Sequence, residues 1–220
     1  MKKLVALLLA MLMLILLSVL IPARAEEAVS PMIVSETADS TEYPALESDI
    51  PVITSEGKSN VKIAGVKSKN KLVRYTIPET LLRADENFLA LMVEAEKYIG
   101  YPYVYGGSKP STGFDCSGFV CWVFRQSGIY DTGRLGAKGL YSLCTDVSRD
   151  EARPGDLVFF TKTMGADVKG ITHVGIYVGN DMMLHAGDPV GFADLQSDKW
   201  AKKIYAFGRL PVQQGAQANE

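Results

Sequence analysis

Hydrophobic positions change their spacing three times along the chain. Residues 4–21 form an almost unbroken apolar run behind Met1-Lys2-Lys3, broken by Pro22 and followed by the small-x-small string Ala23-Arg24-Ala25. A positive start, an apolar stretch and an Ala-x-Ala site are the layout of a secretory signal peptide covering 1–25. The competing reading is an uncleaved anchor, the only membrane contact this sequence suggests, because a run of 18 residues, apolar but for Ser18, is long enough to span a bilayer. Either way the remainder is expected outside the cytoplasm, as a secreted or cell-wall protein. Over 26–60 the apolar residues lose any sustained period, and over 61–83 they alternate only weakly. That stretch, 26–83, is expected to be a flexible linker.

From residue 84 a helical period sets in. Asp85 is a natural cap, Phe88, Leu89, Met92, Val93 and Tyr98 recur at near-helical spacing, and Gly100 stops the run. Residues 101–110 read as a loop by their Gly and Pro content. Asp115 then precedes a second helix over 116–126, with Phe119, Val120, Val123 and Phe124 as its apolar set, and a short third helix is expected over 137–143. After the turn Arg153-Pro154-Gly155 the pattern becomes that of strands, over 156–160, 172–178, 182–186 and 204–210. Gly179-Asn180-Asp181 forms a tight hairpin between the second and third of these. Helices first and strands second predict an α+β domain over 84–213 with an antiparallel sheet, and a disordered tail over 214–220.

Charge narrows the partners. Residues 26–60 hold eight acidic residues and one basic, 61–83 hold six basic and one acidic, and without 1–25 the chain carries 20 basic and 25 acidic residues. A nucleic-acid partner needs a basic excess that is missing here. The basic stretch reads as a solvated tether, or as a contact to an anionic wall polymer. There are three cysteines, an odd number and few for a disulfide-stapled exported domain. Cys121 and Cys144 sit among apolar neighbours and fit either two buried thiols or a disulfide.

Cys116 differs, because it opens the second helix directly after the capping Asp115. A helix N-terminus favours a thiolate, the species that attacks. A cysteine nucleophile needs a base, and the only histidines, His173 and His185, fall on the two strands of the predicted hairpin. There they can share one face as base and orienting partner. A zinc site is the rival use of these three residues, but neither Cys-x-x-Cys nor a fourth ligand is evident, so no metal is expected.

Five strings in order carry a family resemblance: Tyr-Pro-Tyr-Val-Tyr-Gly-Gly (101–107), Phe-Asp-Cys-Ser-Gly-Phe (114–119), Arg-Pro-Gly-Asp-Leu-Val-Phe-Phe (153–160), His-Val-Gly-Ile-Tyr-Val-Gly (173–179) and Leu-His-Ala (184–186). Together they resemble the NlpC family of cell-wall cysteine peptidases, nearest to the peptidase domain of wall hydrolases carried by conjugative elements. The resemblance implies a papain-like fold, with the Cys-bearing helix packed on the His-bearing sheet. It implies Cys116 as nucleophile, His173 as general base and acid, His185 as orienting residue and Tyr103 as an oxyanion donor. Asp115 and Ser117 match positions that bind the free amino end of a stem peptide in some members, and Tyr105 falls in the groove-lining loop. The implied reaction is hydrolysis of the bond between D-γ-glutamate and the following diamino acid of peptidoglycan stem peptides, through an acyl-enzyme and without a cofactor. An amidase or acyltransferase with the same Cys–His chemistry, or a silent wall-binding module, are the alternatives.

Overall fold

The computed structural model describes residues 50–212 apart from 59–60, 64 and 166. The expected signal segment 1–25, the linker portion 26–49 and the tail 214–220 lie outside the described residues. Among the described residues no helix is long and apolar enough to cross a membrane.

The chain enters through two short paired strands, β1 (Lys62–Ile63) and β2 (Val66–Lys67), and a one-turn helix, α1 (Glu79–Leu82). Then come α2 (Glu86–Glu96), the small hairpin β3 (Ser108–Lys109) and β4 (Gly113–Phe114), α3 (Cys116–Gln126) and α4 (Ala137–Leu143). The strands of the main sheet follow: β5 (Thr145–Val147), β6 (Leu157–Thr161), β7 (Ile171–Gly179), β8 (Met182–Ala186), β9 (Val190–Asp194) and β10 (Ile204–Arg209). They form one six-stranded antiparallel sheet in the order β5-β10-β6-β7-β8-β9. The expected α+β architecture, with the cysteine-bearing helix packed on this sheet, is the one observed.

Both faces of the sheet are covered, which is why its strands read as nearly continuous apolar runs. Leu157 and Phe159 of β6, Val174, Ile176 and Val178 of β7, and Leu184 and Ala186 of β8 join Phe119, Val120 and Val123 of α3 in the larger core. The alternate residues Val158, Phe160 and Met183 face a smaller cluster that includes Trp200 and Phe207. Side chains alternate across a strand, so His173 and His185 fall on this second face.

The helices begin where their caps are. The Asp85 carboxylate accepts a hydrogen bond from the Phe88 amide at 3.0 Å, and that of Asp115 accepts one from Gly118 at 2.6 Å. Asp156, read as turn chemistry, is buried in that role. It accepts from the Arg153 amide at 2.7 Å and pairs with Arg209 of β10, also at 2.7 Å. All three cysteines are free thiols, so Cys121 and Cys144 form no bridge. The Cys121 thiol approaches the Leu135 carbonyl at 3.6 Å and that of Cys144 the Leu140 carbonyl at 3.3 Å.

Two departures from expectation stand out. The strands β5 and β9 of the main sheet have no counterpart in the sequence reading. The second departure is the segment 50–83, which is not a free tether where it is described. Ile53, Ile77 and Leu82 are buried in the larger core. Thr54 and Thr76 bridge in antiparallel fashion, and the Tyr75 ring meets Phe192 of β9 edge-on at 5.0 Å. The polar residues between these anchors hide the pattern, since a strap lying on a surface buries only an occasional side chain.

Candidate active site

The first turn of α3 places Cys116. Gly118 is required here by close approach: a Cβ at that position would lie 2.1 Å from the Gly107 carbonyl oxygen. The 101–114 loop therefore sits tightly on the helix start and brings Tyr103 near Cys116. Tyr103 is pushed up to about 12 by burial and by its proximity to the Cys116 and Asp115 charges, so its hydroxyl remains a donor at neutral pH. The Val174 amide, one residue from His173 on β7, lies close enough to Cys116 to favour its thiolate form. Helix and sheet thus bring the cysteine and the first histidine to adjoining backbone.

The expectation of a resting thiolate is corrected. Burial, followed by the neighbouring Asp115 carboxylate, pushes the Cys116 thiol up to about 11. The backbone amides of Val174, Ser117 and Cys116 itself act in the opposite direction and do not prevail. The partial charge of a helix N-terminus is modest, and here a full negative charge caps the same turn.

The two histidines meet as the hairpin predicts. His173 Nε2 and His185 Nδ1 are 2.8 Å apart, with ring centroids at 5.0 Å. The register sets Ile176 against Leu184, so the histidines are diagonal neighbours on one face. Between them stands Gly175, where an added Cβ would come within 3.1 Å of the His185 Cβ and 2.8 Å of the Met183 sulfur. The absence of a side chain there leaves room for the diagonal contact.

Trp200 closes the cluster from the second face. Its ring stacks on His173 at 5.1 Å and 26°, meets His185 edge-on at 5.0 Å, and lies 4.8 Å from Phe160. Dry walls hold both imidazoles neutral. Burial, with a smaller contribution from the Lys199 ammonium, lowers His173 to about 3. His185 is lowered as well, by burial first, then by His173 and Lys199.

His173 and His185 open onto a cleft of about 420 Å³ that Tyr103, Tyr105, Thr163, Thr172, Lys199 and Lys203 help to line. Tyr105 is 78% exposed at its rim. Asp115 and Ser117 are buried beside Cys116 but are turned to another partner. Arg134 reaches Asp115 at 2.6 Å and the Ser117 hydroxyl at 2.9 Å. The sequence reading singled out neither Arg134 nor Trp200. Trp200 carried a usable signal, as a large aromatic inside an otherwise charged stretch ahead of the last strand; Arg134 carried none.

Comparison with known proteins agrees with this geometry. The profile of the NlpC/P60 family matches residues 100–209. Over 121 residues the chain is 46% identical to the bifunctional muramidase/DL-endopeptidase CwlT of Bacillus subtilis, covering 54% of this chain and 36% of that protein. It is 42% identical over 120 residues to a gamma-DL-glutamyl hydrolase of the same organism, covering 53% of this chain and 28% of that one. The chain thus matches only about a third of the length of these curated relatives, or less. A crystal structure of an NLP/P60-family protein similar to a lipoprotein, from Staphylococcus aureus, superposes with a TM-score of 0.54 at 41% identity, covering 57% of this chain and 42% of that one. With the profile spanning half of its residues, a helix-start cysteine beside a bonded histidine pair, and a matching solved fold, the chain belongs to the NlpC/P60 family.

Proposed function

We propose that the chain is a cysteine endopeptidase that hydrolyses the D-γ-glutamyl–diamino acid bond of peptidoglycan stem peptides, acting outside the cytoplasm at the cell wall. The observation that carries this reading is the 2.8 Å contact between His173 Nε2 and His185 Nδ1. One hydrogen is shared there. If His173 donates it, His185 accepts through Nδ1, and His173 Nδ1 is left with a lone pair for the nucleophile. The names of the relatives, a DL-endopeptidase and a gamma-DL-glutamyl hydrolase, support the bond chosen.

The chemistry begins from two neutral partners. As Cys116 Sγ attacks the γ-carbonyl carbon of D-glutamate, its proton passes to His173 Nδ1, and His185 supports the imidazolium that forms. The carbonyl oxygen gains negative charge, which the Tyr103 hydroxyl and the Cys116 amide stabilise as donors. Collapse breaks the C–N bond, and His173 returns the proton to the departing amine of the diamino acid. Water, deprotonated by His173 as it attacks the thioester carbonyl, displaces Cys116 Sγ, which takes the proton back from His173, and the γ-carboxyl product is released and ionises. Because burial keeps both partners neutral at rest, the proton leaves Sγ as the C–S bond forms rather than beforehand.

The test is mass spectrometry of purified peptidoglycan digested with the chain, wild type beside Cys116→Ala. Wild type is expected to release fragments that end at D-γ-glutamate, and the variant none. Fragments cut at another amide, or the same fragments from both proteins, refute the assignment.

A further inference from the structure

The cleft beside the histidines carries charge that the reaction does not use. Lys199 and Lys203 both line it, one on either side of Trp200–Lys202 in sequence. Neither belongs to any ion pair among the described residues. The one carboxylate on the same wall, Asp188, pairs with neither lysine. Its Oδ2 accepts the Lys69 amide at 3.2 Å, and its Oδ1 is buried without a hydrogen-bond partner among the described residues. The hydroxyls of Thr163 and Thr172, 2.7 Å apart, lie on the same lining. The Lys199 ammonium lies over the Trp200 ring, 5.1 Å from its centroid.

We propose that Lys199 and Lys203 bind a free carboxylate of the stem peptide beside the scissile bond, and so select carboxylate-bearing over amidated or carboxylate-free peptides. This rests on the peptidase reading above. Two groups in such a substrate have that chemistry. A γ-linked glutamate keeps its α-carboxylate next to the reacting carbonyl, and diaminopimelate, unlike lysine, carries a second carboxylate on its side chain. Two ammoniums match the acceptor-only character of a carboxylate, and the Thr163–Thr172 pair, whose mutual bond uses one hydroxyl hydrogen, has at most one more to offer. Burial is the main opposition to proton uptake by His173, and the Lys199 ammonium adds a smaller one. A bound carboxylate removes the ammonium's part at the moment the base is needed, so recognition and catalysis favour the same occupant.

The experiment compares kcat/KM of the full-length chain on three peptides: L-Ala-γ-D-Glu-diaminopimelate, its α-amidated isoglutamine form, and the lysine form. Wild type is expected to prefer the first over one of the others by about tenfold, the scale of a charge-assisted hydrogen bond at a partly exposed site. Whichever substitution removes the preference names the carboxylate. The Lys199→Gln/Lys203→Gln double variant is expected to cleave all three alike. Lys202→Gln, which removes the same charge from outside the cleft, should retain the preference. Equal wild-type rates on all three, or an equal loss in Lys202→Gln, overturns the inference while the cleavage itself upholds the peptidase reading. No cleavage of any of the three removes that reading and this one with it.

Discussion

The two faces of the sheet follow different rules. On the helix face Leu157, Phe159, Val174, Ile176 and Leu184 are fully buried among other hydrocarbons. On the opposite face Phe160, Met183 and Trp200 are as well packed, yet they enclose two imidazoles. The first face supplies stability at roughly 25 cal/mol per Å² removed from water. The second uses the same dryness to hold histidines neutral, a state that favours folding at neutral pH and is lost in acid. A single strand such as β7 serves both, with alternate residues assigned to each.

Breaking the second face at its centre has the largest expected effect. His173→Ala should lower kcat/KM by about 10³- to 10⁴-fold in protein that is still folded, the span of general acid–base catalysis, with some loss of stability from removing a buried ring stacked on Trp200. A loss of activity that tracks unfolding would merge the two faces again. On the first face, Phe159→Ala should cost about 4 kcal/mol of stability through the cavity it leaves, with turnover retained wherever the protein is still folded. Denaturant unfolding beside kcat separates the two effects.

The smallest of the three effects is a pH dependence. A histidine near 6.5 in the unfolded chain and about 3 in the folded one binds fewer protons when folded. Its contribution is therefore complete above about pH 6.5 and drains away as pH falls toward 3, by about 3 kcal/mol at pH 4 for His173. A His173→Gln/His185→Gln double variant should show a flatter stability profile over that window. Equal slopes for wild type and variant would show that the second face is not as dry as its packing indicates.

The sequence made the second face legible at its polar positions and not at its walls. Cys116 is marked by the Asp115 cap, and the histidines by the Gly179-Asn180-Asp181 turn that aligns their strands. Asn180 and Asp181 both adopt positive φ, at 52° and 54°, as such a turn demands. Trp200 enters from a loop far along the chain, and no local pattern says which ring it will stack on. The helix caps at Asp85 and Asp115 were readable because capping is local. The strand β9 was missed because Asp188-Pro189 reads as a loop signal and the run after it contains Gly191 and ends at Asp194. The protonation of Cys116 was misjudged for a related reason. The spacing that shows a helix start also shows the Asp115 beside it, but the depth at which both are buried is a property of the fold.

The strap over 50–83 has a consequence for how this unit can be moved. The stretch that identifies the family begins at residue 100. The hydrophobic interior nevertheless takes in Ile53, Ile77 and Leu82, and the Tyr75 ring covers Phe192 at the sheet edge. The backbone and side chain of Asp188 are held from the same strap, by Asn70 at 2.9 Å and Lys69. A graft cut at the recognisable motif would carry Cys116 and both histidines into a new host with an unsealed interior and a loosened cleft wall. The portable piece is larger than its signature, and a fusion or shuffling event that preserves function must carry the upstream strap along or supply another segment that fills the same grooves.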